Sequence, residues 1–347
     1  MYDRPLLASI VLALVLAGCA SGAPSQAASS PLAPLVPSAP AGTPASSPPR
    51  TVASSPASGP TPAATGPGSA PRATTPPAPA TPRGAGLPTF RHVYLLVMEN
   101  AEFGSIVGNA SAPYLNSLIA RYGLATAYTA VAHPSEPNYL ALFSGSTQGV
   151  TDDGVYDLGA SNLADQLEAH ARSWRVFAQN VPGACYTGAS ASGGADGPGT
   201  YARKHEPAIS FSDIATNAAR CGHITDFSTF DPSVADFELI VPNLCNDMHD
   251  CPVSSGDAFL RSFVPQIIEN PAFADSVLFI TWDEGSTDIG GGGRVATLVV
   301  SPLVVAGTTS AIPHTHYSLL RTIEDAWNLG CLGHACTANN LGEFFRP

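Results

Sequence analysis

Four short polar clusters in this chain carry residue types able to do chemistry: Glu99 with Asn100, His133 with Ser135, Asp247 with His249, and Asp283 with Glu284. Carboxylates gathered at one place repel one another unless a cation sits among them. Carboxylate and amide oxygens are hard donors that suit Mg²⁺, Ca²⁺ or Mn²⁺, and Zn²⁺ accepts carboxylates and imidazoles as well. A serine oxygen close to such an ion and at the start of a helix becomes a competent nucleophile, because both the ion and the helix N-terminus favour negative charge on it. The plainer roles are open for each residue alone. Ser135 would serve as a helix N-cap, a single acid at a strand end as a turn former, and Asp247 and His249 as parts of a loop pinned by Cys245 and Cys251. Only convergence of the clusters makes a site.

The elements between them predict that convergence. Residues 91–98 form a continuous apolar run, as expected of a strand buried on both faces, and it ends at Glu99. Further strands are predicted at 125–132, leading to His133 and Ser135, at 174–178, at 237–241, at 276–282, which ends at Asp283, and at 295–301. Helices are predicted at 113–122, with Pro113 in its first turn and Gly123 as its stop, at 139–143 with Pro137 just inside the start, and at 161–171, 257–269 and 318–327. Strands alternating with helices give a largely parallel sheet covered on both faces, an α/β three-layer sandwich. Ligands of such sheets bind beyond the carboxyl ends of the strands, where the four clusters fall.

These segments resemble the phosphoesterase family of bacterial acid phosphatases and phosphocholine-type phospholipases C, a branch of the alkaline phosphatase superfamily. The likeness rests on VMEN at 97–100, HPSEPNYLALFSG at 133–145, YARKHEP at 201–207, NLCNDMHD at 243–250, TWDEG at 281–285 and HTHYSLLRTIED at 314–325. It implies an alkaline-phosphatase-like fold and a metal-dependent phosphoesterase. Ser135 stands where superfamily members hold their nucleophile and passes through a phosphoserine. The resemblance makes Glu99, Asn100, Ser135, Asp283 and Glu284 the metal set and Asn138 a donor to a phosphate oxygen. His316 and His205, with Asp247 and His249, are further groups around the phosphate. Two-zinc members of the superfamily have Asp-His where this chain has Asp283-Glu284, so one divalent ion is expected. An acid phosphatase acting on phosphomonoesters is the leading expectation, and a phospholipase C acting on diesters is the alternative. A binding lipoprotein that captures phosphorylated ligands without turnover is a more distant one.

Composition sets the surroundings. The 347 residues carry a formal charge of −12, and no basic run is present, which argues against nucleic acid as a partner. Residues 1–19 read as a lipoprotein signal peptide. Its apolar core of 6–16 is too short for a membrane span, and Leu-Ala-Gly-Cys at 16–19 is a lipobox with Cys19 as the lipidated residue. Residues 20–86 are almost entirely Ala, Pro, Ser, Thr and Gly, with three arginines as the only charges, a composition that cannot bury a core and predicts a disordered tether. Residues 87–347 are the phosphoesterase domain. A lipid anchor to the membrane, or secretion, follows for its location. Six cysteines remain, an even number that favours disulfides in an exported chain. Their spacing suggests Cys245 with Cys251 and Cys331 with Cys336, leaving Cys185 with Cys221. Zinc is the alternative, since His249 and His334 lie between the close cysteines. No Gly-x-Ser-x-Gly elbow of a serine esterase occurs. The four glycines at 290–293 lack the Lys-Ser/Thr of a phosphate loop and read as a flexible connection or a mobile flap.

Overall fold

The computed structural model describes residues 86–194 and 197–345. The signal segment, Cys19 and all of the tether but Gly86 lie outside them. In chain order the strands are β1 (Val93–Met98), β2 (Gly123–Ala125), β3 (Tyr128–Thr129), β4 (Trp174–Ala178), β5 (Ser190–Gly194), β6 (Gly197–Ala202), β7 (Ile224–Thr225), β8 (Phe237–Val241), β9 (Val277–Trp282), β10 (Thr297–Val300), β11 (Thr309–Ser310) and β12 (His314–Thr315). The helices of seven residues or more are α1 (Pro113–Arg121), α2 (Ser135–Ser144), α3 (Leu163–Ala169), α4 (Val253–Ile268) and α5 (His316–Trp327).

Eight strands make the main sheet in the order β11-β2-β10-β9-β1-β8-β4-β7. β10 alone is antiparallel to its neighbours β9 and β2, and every other pairing in the sheet is parallel. Every residue of β1, β8 and β9 is buried. Both faces of the central strands are therefore covered, which is why β1 (VYLLVM) and β9 (VLFITW) are almost wholly apolar rather than alternating, with Glu238 a buried acid within β8. The fold is α/β with a large, mostly parallel central sheet. The hydroxyls of Thr281 and Thr297 meet at 2.7 Å across β9 and β10.

Several predicted boundaries move for physical reasons. The run at 125–132 is not one strand. β2 stays in the main sheet, whereas β3 leaves it to pair with β12, Tyr128 opposite His314. Between them Thr126 is fixed by its N–H and hydroxyl on Ser310 O and by the Arg294 guanidinium on its own carbonyl. Gly123 does not stop α1 by a positive φ. It opens β2, and a Cβ there would lie 2.6 Å from the Phe344 ring, so close packing demands the glycine. The start of α1 is capped from outside, with the Asp257 carboxylate of α4 accepting the Tyr114 and Leu115 amides at 3.1 and 2.8 Å. α2 starts four residues earlier than the apolar run implied, at Ser135, and Pro137 falls within its first turn, where no intrahelical N–H bond is lost.

The β5–β6 hairpin carries no apolar alternation and was not visible in the sequence. Gly199 explains how it docks. At φ +153°, a Cβ there would lie 2.1 Å from Asn243 Nδ2 and 2.4 Å from Asn180 Oδ1, so the glycine admits the 2.7 Å Asn243–Asn180 hydrogen bond that ties β8 to β4. The six cysteines pair as Cys185–Cys221, Cys245–Cys251 and Cys331–Cys336. Their sulfurs are thus unavailable to zinc. No helix among the described residues is long and apolar enough to cross a membrane.

Candidate active site

The carboxyl ends of β1, β8 and β9 bring four acids together. Glu99 follows β1 directly and its N–H donates to Asp247 O at 2.9 Å, coupling the β1 end to the loop after β8. Asp283 and Glu284 follow β9, and the Asn100 N–H donates to Asp283 Oδ1 at 3.1 Å. Into this ledge α2 delivers Ser135, whose Oγ lies 3.1 Å from Glu99 Oε2 and 3.3 Å from Glu284 Oε1. The turn after β6 adds His205, with Nε2 3.2 Å from Glu99 Oε2 and Nδ1 3.4 Å from Asp247 Oδ2. Glu99, Asp247, Asp283, Ser135 and His205 are all 0–1% exposed. At that burial, small separations set large energies.

Ionisation follows burial. Loss of water raises the Glu99 carboxyl well above the usual carboxylate range, with the Asp283 and Asp247 charges adding to it. Asp247 is raised by the same cause. Asp283 is pushed up to about 7 by burial and then by Glu284. Glu284 is raised by burial against the opposing pull of His133. His205 is driven well below the ordinary imidazole value by burial, then by Lys204 and His249. No Lys or Arg among the described residues pairs with any of the four acids. Their ion-pair partners are His205 and His133.

Within this ledge Asp247 Oδ2, Asp283 Oδ2 and His205 Nε2 are buried without a well-directed hydrogen bond, His205 meeting Glu99 and Asp247 at ion-pair distance only. Ligating atoms from Glu99, His205 and Asp247 also lie within 4.8 Å of one another. Unmet acceptors of this kind are costly in a dry site. The donor set of carboxylates plus one imidazole fits a divalent cation, as the acidic clusters in the sequence implied.

The other expected residues are nearby but differently employed. Asn138 is fully buried, and its amide is consumed by the segment before Ser135: Oδ1 accepts from Val131 and Ala132 N–H at 3.0 and 3.1 Å, while Nδ2 donates to Ala132 O and Pro134 O. With both amide hydrogens on backbone, it shapes the approach to Ser135 instead of offering a donor to phosphate. His316 likewise lies behind the ledge. Its Nε2 donates to the Asp283 main-chain carbonyl, so its Nδ1 accepts from Tyr128 OH at 3.1 Å, and burial holds its pKa down at about 4. Asn100 touches Asp283 through its backbone, its side chain lying at the surface. His249 sits at the rim, its ring 5.7 Å from that of His205.

Sequence reasoning missed Tyr139 and Asp153, whose Oδ1 accepts the Glu136 N–H at 3.1 Å, and it named His133 without the partner that employs it. Tyr139 lies one helical turn after Ser135, on the same face, and its hydroxyl donates to Glu99 Oε1. That spacing was a usable signal. His133 bonds Glu284 through Nδ1 and Thr287 O through Nε2 at 3.1 Å, a link that spans 151 residues and left no local trace. The glycine-rich segment is not a free flap at its base, since Glu102 accepts from Ser286 N–H at 2.9 Å and Arg294 N–H at 3.1 Å.

Residues 109–330 match the Phosphoesterase family. The chain belongs to that family. This phosphoesterase is 34% identical over 268 residues to a phosphatidylinositol-3-phosphatase of Mycobacterium tuberculosis, covering 75% of this chain and 85% of that protein. It is 33% identical over 238 residues to a phosphate-repressible acid phosphatase of Penicillium chrysogenum, covering 65% of this chain and 57% of that one. A probable acid phosphatase of Kluyveromyces lactis is 30% identical, with 73% and 62% covered. The chain thus spans about 60% of the length of these fungal relatives. In fold it is similar to a chain from glycosaminoglycan metabolism of Bacteroides thetaiotaomicron, at a TM-score of 0.50 and 11% identity over 74% of this chain and 82% of that one. A protein in the alkaline phosphatase superfamily from Vibrio parahaemolyticus aligns at a TM-score of 0.47 and 11% identity, over 76% and 72%. The phosphoesterase is a hydrolase of phosphate esters. Its three disulfides and its fungal acid phosphatase relatives suggest an extracellular protein.

Proposed function

We propose that this phosphoesterase is a metal-dependent acid phosphatase that cleaves phosphomonoesters through a phosphoserine at Ser135. The observation that carries the reading is the buried Ser135 hydroxyl held between Glu99 and Glu284, beside Asp283, Asp247 and His205 atoms that lack a well-directed hydrogen bond. Glu99, Asp283 and Glu284, with Ser135, would hold one divalent ion, and His205 and Asp247, whose ligating atoms lie within 4.8 Å of each other and of Glu99, line the same space. A divalent ion bound there supplies positive charge against the phosphate oxygens and the serine oxygen.

Ser135 Oγ attacks phosphorus and the ester oxygen departs. Glu99 and Glu284 stand within hydrogen-bond reach of the proton that the serine gives up. Water then cleaves the phosphoserine. Tyr139 fixes Glu99 and His133 fixes Glu284, so the acids flanking the nucleophile are oriented from behind. His316 and Tyr128 hold the Asp283 main chain, and Asn138 sets the turn into α2. The names of the relatives, acid phosphatases and a phosphatidylinositol-3-phosphatase, all describe removal of a phosphate monoester and support that choice over a phospholipase C.

Residues 1–19 are proposed as a lipoprotein signal, 20–86 as a tether and 87–347 as the catalytic domain, working outside the cytoplasm on an anchor at Cys19. Release of the full-length protein from membranes by Cys19→Ser tests the anchor. For the chemistry, hydrolysis of p-nitrophenyl phosphate should exceed that of p-nitrophenyl phosphorylcholine, and an acid quench should trap phosphate on the Ser135 peptide. Turnover of only the choline diester would overturn the monoesterase reading.

A further inference from the structure

We propose that Lys204 is a substrate-contacting residue that reads the second negative charge of a phosphomonoester dianion, with Asp153 holding it in place. The inference deepens the acid phosphatase reading and rests on it.

Lys204 is the only lysine in the chain, whose fourteen other cationic side chains are arginines. It sits in the turn directly after β6, next to buried His205, and is itself half-buried. Its Nζ lies 2.8 Å from Asp153 Oδ2. The other oxygen of the same carboxylate accepts the Glu136 N–H at 3.1 Å, the amide of the residue after Ser135. Asp153 therefore bridges the lysine to the first turn of the helix that carries the nucleophile. Lys204 is brought to the rim of the site by a carboxylate already seated beside Ser135.

The electrostatics point the same way. Lys204 favours the ionised forms of both Glu99 and Asp247 and disfavours protonated His205, so its charge reaches the acid ledge from the rim. Its own charge is in turn favoured by Asp153, Glu99 and Asp283. Of the neighbouring cations, Arg203 acts on Glu136 and Glu206 rather than on the acid ledge. Arg203 is buried and its Nη2 donates to Tyr156 O and Ile209 O, while His133 is bonded to Glu284 and Thr287 O.

A compact ammonium on a four-carbon stem can turn from Asp153 to an arriving oxygen without leaving its anchor, which a planar guanidinium fork does less readily. Near pH 7 a phosphate monoester carries between 1.5 and 2 negative charges, because its second pKa is about 6, whereas a diester carries one. In a site whose fixed charges are acidic, a metal ion and Lys204 together match the monoester. Without the lysine, the extra charge meets the ledge of carboxylates uncompensated.

The test uses the full-length, metal-loaded protein at pH 7. Lys204→Gln should lower kcat/KM for p-nitrophenyl phosphate by roughly 10- to 100-fold, the worth of one charged hydrogen bond. It should weaken inhibition by inorganic phosphate by a similar factor and lower bis(p-nitrophenyl) phosphate hydrolysis far less. Lys204→Arg should recover part of the monoester activity. Equal losses on both esters, or unchanged phosphate inhibition, would overturn the proposal.

Amine acetylation of the wild-type protein, mapped by mass spectrometry, covers the case in which Lys204→Gln does not fold. Inorganic phosphate should protect Lys204 from acetylation, and lack of protection counts against the idea. Failure of the underlying reading shows elsewhere, as monoester turnover that survives Ser135→Ala, which the protection result does not address.

Discussion

Two acidic clusters in this protein have opposite fates. Asp165, Glu168 and Asp213 surround Arg220, which reaches Asp165 at 2.8 Å and Glu168 at 3.0 Å and also pairs with Asp213. Glu99, Asp247, Asp283 and Glu284 surround Ser135 with histidines as their only ion-pair partners among the described residues. The first set is partly exposed and shares one internal cation, and it joins α3 to the segment around residues 213–220. The second is buried, has no Lys or Arg paired with it among the described residues, and two of its oxygens have no hydrogen-bond partner. A cluster of acids becomes a functional site when the fold withholds the cation that would satisfy it, because the cation must then come from outside.

The sharpest way to break this contrast is Ser135→Ala. Activity on phosphomonoesters should fall by about three orders of magnitude or more, as for removal of a covalent nucleophile, with circular dichroism unchanged. Retained turnover would leave Ser135 as the first residue of α2 and nothing more.

Chelation comes next. Treatment with EDTA should abolish most activity, and restoring a divalent ion should recover it. The ion should also raise thermal stability, by about 2.7 kcal/mol at 100 times its Kd. A melting temperature indifferent to every divalent ion would remove the external cation from the argument.

The pH dependence of the chelated protein sharpens the comparison further. Asp283 is raised from 3.8 to about 7 by burial and Glu284, and Glu136 and Glu206 are each raised to about 7 by burial. For acids with raised folded-state values the native chain holds more protons than the unfolded chain. Their contribution is present below about pH 4 and is lost as pH rises towards about 7. Asp213 in the arginine cluster is lowered by its bonds to Asp165 and Arg220, which outweigh burial, and so has the opposite sign, contributing above its unfolded pKa. Melting curves from pH 4 to pH 8 should therefore show the metal-free protein weakening with pH. Added divalent ion should offset the part due to Asp283.

The smallest effect belongs to Arg220→Ala. Its partners are 36–42% exposed, so about 1–2 kcal/mol of stability should be lost for the network as a whole, while kcat and KM stay unchanged. A fall in kcat would show that the two clusters are coupled.

Much of this was decided by local chain chemistry. Nearly unbroken apolar runs specify β1 and β9 as central strands, since only a strand covered on both faces can afford no polar side. The acids that follow them are then bound to share one edge of a parallel sheet. The cysteine spacing anticipated all three disulfides. What sequence could not supply is which groups remain unsatisfied, because that depends on contacts between residues far apart in the chain. Asn138 and Asn100 are both asparagines beside the chemistry, yet the local turn before α2 consumes the amide of Asn138 on four backbone groups, while the fold leaves the side chain of Asn100 at the surface. His316 reads as a phosphate ligand until the fold places Asp283 O on one nitrogen and Tyr128 OH on the other. Residue types determine what chemistry is available. Long-range packing alone decides which lone pairs and protons are still free to perform it.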